Sequence, residues 1–188
     1  MSFHIPTIEE IKRAREVFEA NEPRDLFYRV AIELVDLAIR KETSLSVAEA
    51  LAVLLQTWNK AFYRYNKFDS KHFSNIENLL NCNMSALLSF RHRSLESFCD
   101  EDEPVVKRIF EDFEGILGPV GAAKCLHLLA PRFFPLWDRA IARAYGFTLK
   151  QRGSNGKSWC DFIRIAKEQC KGFGMEHSNR QNALKALD

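Results

Sequence analysis

The residues best suited to chemistry lie between positions 117 and 138, in the order glycine turn, helix and aspartate. Gly118 and Gly121 can adopt positive φ and allow another backbone to come close, whereas Pro119 fixes its own φ and lacks an N–H. Residues 122–129 contain no helix breaker, so we expect a helix that begins at the turn. The first N–H groups of such a helix have no intrahelical partner and suit a phosphate oxygen.

Three side chains of this segment belong to types that take part in catalysis. Lys124 and His127 are three residues apart and share a helix face. There Lys124 could contact a phosphate and His127 could carry a proton near neutral pH. The alternative is a solvated lysine beside a buried or hydrogen-bonded histidine. Asp138 directly precedes a helix-forming run, so the sequence leaves open whether it is only an N-cap or also a site residue.

The order of these residues resembles the helix-hairpin-helix DNA glycosylase superfamily, in which a short glycine hairpin precedes a helix and a catalytic aspartate follows about one helix later. The resemblance covers about a third of the chain and rests on Gly118, Val120, Gly121, Leu126, Leu128, Leu129, Pro135, Asp138 and residues 141–146. A weaker match lies at 54–59, where the family has a leucine, glutamine and threonine segment that lines the base pocket.

The resemblance implies a fold, a partner and a set of site residues. The fold is an all-α, glycosylase-like orthogonal helical bundle, and the partner is DNA, from which such enzymes flip a base before excising it. The implied DNA contacts are Gly118, Val120, Gly121, Ala122 and Lys124. The implied catalytic group is Asp138, Lys124 and His127, and the implied base pocket is Gln56, Trp58 and Trp137. Aromatic residues of this kind are more often part of a hydrophobic core, which is the alternative for the two tryptophans.

One position bears on the type of reaction. Family members with lyase activity carry a lysine two places after the second hairpin glycine, where this chain has Ala123. Lys124 is one residue further on, and one step along a helix turns a side chain by about 100°. The resemblance therefore implies a monofunctional N-glycosylase that hydrolyses the base–sugar bond of a damaged base. The alternatives are a catalytically inactive glycosylase-like module for nucleic-acid or protein interaction, and a glycine turn that only serves close helix packing.

The composition limits the remaining classes. With 188 residues, 46% of them hydrophobic, the chain can bury one substantial core, and we expect a single helical domain over 1–188. Two lobes with a cleft near 54–59 and 117–138 would also fit. The net charge of +2 does not by itself indicate a nucleic-acid binder, so any DNA affinity would come from local patches. No segment is apolar over the length of a membrane span, and we expect a cytoplasmic protein.

The cysteines argue against a metal centre. The chain has five, an odd number, and none are paired in C-x-x-C spacing, so a zinc site is not expected. Only two lie near the C-terminus, where some members of the resembled family carry a four-cysteine iron–sulfur loop. We therefore expect reduced thiols and neither a metal nor another cofactor. The five are Cys82, Cys99, Cys125, Cys160 and Cys170.

The elements that must position these residues are all predicted to be helices. Helical periodicity without a long alternating run indicates an all-α fold of about eight or more helices. The predicted helices span 7–20, 24–40, 47–65, 74–80, 85–90, 105–113, 122–129 and 159–170, with further short ones after Asp138 and over 179–188. Residues 91–93 fit an exposed helix end or a phosphate-facing patch, and the basic loop 150–158 could contact a nucleic-acid backbone.

Overall fold

The computed structural model describes residues 25–171 and the positions 9, 10, 13, 16 and 17, which are helical. The remainder of the predicted helix 7–20 and the whole of the predicted helix 179–188 lie outside the described residues. The protein is all-α, as predicted, and residues 25–171 contain no β-strand. The helices are α1 (Asp25–Arg40), α2 (Val47–Trp58), α3 (Lys60–Tyr63), α4 (Ser70–Arg91), α5 (Glu103–Leu129), α6 (Arg139–Ala144) and α7 (Gly156–Lys171), with 3-10 turns at Leu95–Ser97 and Asp100–Asp102. Within this part of the chain, no helix combines the length and the apolar character needed to cross a bilayer.

The helix starts follow capping chemistry that the sequence carries. Ser46 caps α2 in a capping box in which its hydroxyl accepts the Glu49 N–H and the Glu49 carboxylate accepts the Ser46 N–H. Asp69 caps α4 by accepting the His72 N–H at 2.9 Å. These caps satisfy N–H groups that have no partner inside the helix. They also fix where α2 and α4 begin, on either side of the short helix α3.

Two predicted boundaries were wrong. The predicted helices 74–80 and 85–90 form one helix, α4, because Asn83 is satisfied inside it. Its amide donates to the Leu79 carbonyl at 2.9 Å and its oxygen accepts from Arg108 at 3.0 Å, so this buried polar residue does not interrupt the helix. Conversely, the predicted helix 47–65 is divided at Asn59 into α2 and α3.

Helix α5 is the centre of the fold. It contacts α1, α3, α4 and α7, and most of its length is buried. Large aromatic side chains fill the space between α5, α7 and the connection after α5, with the Phe110 and Trp159 rings stacked at 4.4 Å between centroids. The core aromatics of this region are Phe90, Phe98, Phe110, Phe113, Phe133, Phe134, Trp137, Trp159 and Phe162. This core holds the end of α5 and the start of α6 in place.

The glycine turn predicted at 118–121 is a single-residue break inside α5. Gly118 has φ 71° and ψ 167°, a conformation that is essentially restricted to glycine, and helical geometry resumes at Pro119. Proline suits the first position of a helical arm because its missing N–H would have had no helical partner. No separate hairpin turn is needed, because one residue redirects the chain between the arms 103–117 and 119–129. The helix predicted over 122–129 lies within the second arm.

Candidate functional site

The break at Gly118 is covered by the junction between α2 and α3. A Cβ on Gly118 would lie 3.2 Å from the Phe62 ring, and a Cβ on Gly121 would lie 2.6 Å from the Asn59 amide nitrogen. Asn59 also donates to the Leu117 carbonyl, at 3.4 Å. Both glycines therefore allow a close approach of α3 to α5. Gly121 and Ala122 are buried beside the break, and Val120 is half-buried.

Lys124 lies against the carboxyl end of α2. Its Nζ donates to the Trp58 carbonyl at 2.7 Å and is 4.5 Å from the centroid of the Trp58 ring. A cation in this place interacts favourably with the last carbonyl groups of a helix and with an aromatic face. Lys124 and Trp58 thus contact each other directly. The resemblance assigns Lys124 to the DNA contacts and the catalytic group, and Trp58 to the base pocket.

His127 is enclosed in the core. Its Nδ1 donates to the Phe134 carbonyl at 2.7 Å, and its Nε2 accepts from the Tyr28 hydroxyl at 2.8 Å. Burial lowers the pKa of His127 to about 4, so the imidazole is neutral at pH 7. These contacts match the buried or hydrogen-bonded histidine that was one of the two interpretations of the sequence. A proton carrier at neutral pH would need a higher pKa and access to a substrate.

Asp138 caps helix α6. Its Oδ1 accepts the N–H groups of Ala140 at 2.7 Å and Ile141 at 2.9 Å, and the side chain is half-buried. The preceding Trp137 is 1% exposed and packs against core aromatics, while its indole N–H has no hydrogen-bond partner among the residues that the structure describes. Trp137 therefore occupies a core position from which a flipped base is excluded in this conformation.

The structure brings together only part of the implied site. Gly118, Gly121, Lys124 and Trp58 lie around the junction of α2 and α3, whereas Gln56 is exposed on α2. Among the described residues, neither Gln56 nor Asp138 shares a hydrogen bond or ring contact with that group. No cluster of three or more His, Cys, Asp or Glu side chains suited to a metal ion occurs in the part of the chain that the structure describes.

A group of exposed cations next to the break was not identified from the sequence. We call it the cationic surface, and it consists of Lys60, Arg64, Tyr65, Lys67, Lys71 and Arg152. None of its five cations forms a salt bridge with a described residue, although the pKa of the nearby Asp69 is lowered by the hydrogen bond from the His72 N–H and also by the charge of Lys67. The sequence did contain a signal for this surface. In residues 58–76, four basic residues alternate with aromatic residues, and the only acid is Asp69.

Arg152 joins this surface from a distant part of the chain. Its guanidinium carbon lies 5.3 Å from the centroid of the Phe62 ring, and its nitrogens contact the Gly115 carbonyl and the Asn66 side-chain oxygen, both at 3.4 Å. All of these partners are neutral. Arg152 therefore adds its charge to the charges of α3 and the following turn. It belongs to the basic loop 150–158 that the sequence analysis identified.

The loop that carries Arg152 is anchored by a buried carboxylate. Asn155 donates its backbone N–H to Glu114 at 3.2 Å, and its side-chain amide also donates to that carboxylate. The Asn155 side-chain oxygen accepts the Lys150 N–H at 2.7 Å, which closes the loop on itself. Burial raises the pKa of Glu114, although the hydrogen bonds from Asn155 act in the opposite direction. Residues 150–155 are thus fixed to the first arm of α5.

The turn between α3 and α4 is fixed by aromatic packing. The Tyr63 hydroxyl and His72 Nε2 are 2.9 Å apart, and Phe68 packs edge-on against both rings. Burial lowers the pKa of His72, the nearby Asp69 raises it, and the charge of Arg152 lowers it. Because these rings occupy the inner side of the turn, the cations at positions 60, 64, 67 and 71 are left exposed.

Three other basic side chains have partners inside the fold. Arg91 donates to the Leu129 carbonyl at 2.8 Å and pairs with Asp36, and Arg93 makes two hydrogen bonds to Asp102, at 2.6 and 2.7 Å. Arg164 pairs with Asp100 at 2.8 Å and also with Glu103. The basic residues at 91–93 therefore correspond to a helix end with internal partners, and the acidic segment 100–103 is partly neutralised.

Comparisons with known proteins provide no relative. No protein-family model matches the chain, and no curated protein and no solved structure is significantly similar to it.

Proposed function

We propose that this chain is a DNA-binding helical module of glycosylase-like architecture that has lost base-excision chemistry. This is the second of the functions that the resemblance implies. The observation that carries the proposal is the cationic surface, whose five cations are exposed, form no salt bridge with a described residue and lie beside the break in α5. In this proposal the DNA backbone contacts these side chains. The backbone near Gly118 does not contact DNA and instead packs against Phe62, beneath the cationic surface.

Electrostatics favour a polyanion at this place. Lysine and arginine side chains neutralise phosphates and release the counterions that surround DNA, which supplies most of non-specific binding. The net charge of the chain is only +2, but the cationic surface holds five cations and the same turn holds a single acid, Asp69. Local rather than total charge determines where an anionic polymer binds.

The contacts of the implied catalytic residues favour the inactive alternative. His127 is neutral and saturated with hydrogen bonds, and Asp138 uses one carboxylate oxygen to cap α6. Lys124 is held by Trp58. Base excision would require a pocket that receives a flipped base next to the acidic group. Trp137, which the resemblance assigns to that pocket, is enclosed in the core.

The proposal is tested by fluorescence anisotropy with labelled duplex DNA, either intact or carrying an abasic-site analogue, over a series of salt concentrations. We expect binding to both duplexes, with an affinity that falls as salt rises. The double variant Lys60→Ala/Arg64→Ala should reduce the slope of log K against log salt by about 1.8, which is the value for two lost phosphate contacts. The matched control Arg139→Ala/Arg143→Ala removes two exposed cations beside Asp138 and should leave the slope unchanged.

Three results would contradict the proposal. The absence of binding at low salt would leave a helical scaffold without affinity for DNA. An equal or larger effect of the control pair would move the interface to α6. Finally, a further set of duplexes, each carrying one damaged base, is incubated with the protein and then treated with alkali, which cleaves the strand where a base has been released. Cleavage that depends on Asp138 and disappears in Asp138→Asn would show an active glycosylase.

A further inference from the structure

Tyr65 is the most exposed of the large hydrophobic side chains in the described part of the chain, with 88% of its surface accessible. It lies in the turn after α3, between Arg64 and the half-buried Asn66. Its neighbours in the turn have inward partners, since Tyr63 bonds His72 and Phe68 packs against them. Tyr65 therefore presents an aromatic ring to solvent in the middle of the cationic surface.

The backbone beneath Tyr65 is held by several hydrogen bonds. The N–H groups of Tyr65 and Asn66 both donate to the Phe62 carbonyl at 3.2 Å, and the Asn66 side chain donates to the same carbonyl at 2.9 Å. Phe62 in turn lies between Gly118 and Arg152. The turn is thus tied to α5 and to the loop 150–155. The backbone that carries the ring is therefore ordered before any ligand arrives, which reduces the entropy cost of binding.

An exposed aromatic ring among cations is the arrangement that binds unpaired nucleotides. Cations follow the phosphate backbone, and a base stacks on the ring, a contact worth about 1–3 kcal/mol that depends little on base identity. Bases within a duplex are already stacked on each other and do not present their faces to a protein side chain. We propose that the cationic surface binds single-stranded nucleic acid and that an unpaired base stacks on Tyr65. This rests on the proposed function and names the form of its ligand.

The stacking step is tested by anisotropy with labelled oligo(dT) of twenty nucleotides, oligo(U) of the same length and a blunt duplex at one salt concentration. We expect the wild type to bind a single strand more tightly than the duplex. Tyr65→Ala should weaken single-strand binding by about 5- to 100-fold, which corresponds to one lost stacking contact. Tyr65→Phe should keep the affinity because it keeps the ring. Comparing the affinities for oligo(dT) and oligo(U) shows whether the surface prefers deoxyribose or ribose. A preference for either sugar is compatible with stacking of the base on Tyr65.

Charge and stacking are separated by the salt dependence. Tyr65→Ala should leave the slope of log K against log salt unchanged, whereas Lys60→Ala/Arg64→Ala should reduce it by about 1.4 on a single strand. Val53→Ala, at another exposed apolar residue, is the control and should bind as the wild type does. The inference is overturned if Tyr65→Ala binds oligo(dT) as tightly as the wild type, or if the wild type prefers the duplex. If neither the single strands nor the duplex bind even at low salt, the proposed function itself has failed.

Discussion

His127 is an ionisable side chain that the fold keeps neutral. Burial between Tyr28 and Phe134 lowers its pKa from 6.5 to about 4. Since the unfolded chain takes up the proton at a higher pH than the folded chain does, His127 contributes stability that is fully present above pH 6.5. That contribution is lost as the pH falls toward 4. About 2 kcal/mol of it disappears between about pH 7 and pH 5.

The variant His127→Gln should lack this pH dependence. Glutamine still offers a donor and an acceptor but takes up no proton. The difference in unfolding free energy between the wild type and the variant should therefore narrow by about 2 kcal/mol from about pH 7 to pH 5. The unfolding free energy at each pH is measured by guanidinium denaturation, with circular dichroism as the signal. His92→Gln, at an exposed histidine, is the control and should follow the wild type. A difference that stays constant with pH would contradict the effect of burial.

Residue roles were predictable from the sequence where the deciding partner is nearby. The cap position of Asp138 was visible because its partners, Ala140 and Ile141, are two and three residues away. His127 and Lys124 instead depend on Tyr28 and Trp58, which are 99 and 66 residues away in the chain. Local spacing says nothing of such partners. The sequence therefore left two interpretations of each of these side chains open.

At the scale of elements, the break at Gly118 determines how α5 meets α3. Its φ of 71° disfavours any residue with a Cβ, and a Cβ would also lie 3.2 Å from the Phe62 ring. We expect Gly118→Ala to lower the unfolding free energy by about 1–3 kcal/mol, measured from denaturation midpoints at constant m-value. Gly115→Ala is the matched control, because Gly115 is helical and a Cβ there has no neighbour within 4 Å. It should stabilise the protein by about 0.5–1 kcal/mol. Equal effects of the two substitutions would show that the break does not need glycine.

Helices were easier to predict than the points where they stop. Periodicity located α1 and α7 to within a few residues, because each has a continuous buried stripe, whereas α5 was predicted as two helices, 105–113 and 122–129. It failed at Asn83, whose side chain finds partners within α4 and on Arg108, and at Asn59, whose contacts lie on α5. An asparagine interrupts or continues a helix according to the partner that tertiary structure supplies. That partner is not encoded in the local pattern.

At the scale of the whole molecule, a net charge of +2 conceals two regions of different character. Acidic residues at 100–103 bind Arg93, Arg164 and Lys157 within the fold. The cations at 60–71 and Arg152 form no salt bridge with a described residue, and only Asp69 accompanies them in the turn. The composition gave no sign of this separation, because summing charges over the chain removes it. The surface arises only when the loop 150–155 packs against the turn after α3.

The separation of charge predicts that an anionic strand contacts one side of the molecule. In a nuclear magnetic resonance titration of the 15N-labelled protein with a short oligo(dT), we expect the amide signals of residues 60–72 and 150–153 to move together. The signals of 98–112, around the neutralised acidic segment, should stay in place because phosphates are not attracted there. Shifts centred on 138–144 would instead place the strand at Asp138 and favour an interface like that of the resembled glycosylases. Repeating the titration with Tyr65→Ala should reduce the shifts near position 65, while those at 150–153 persist through the remaining charge contacts.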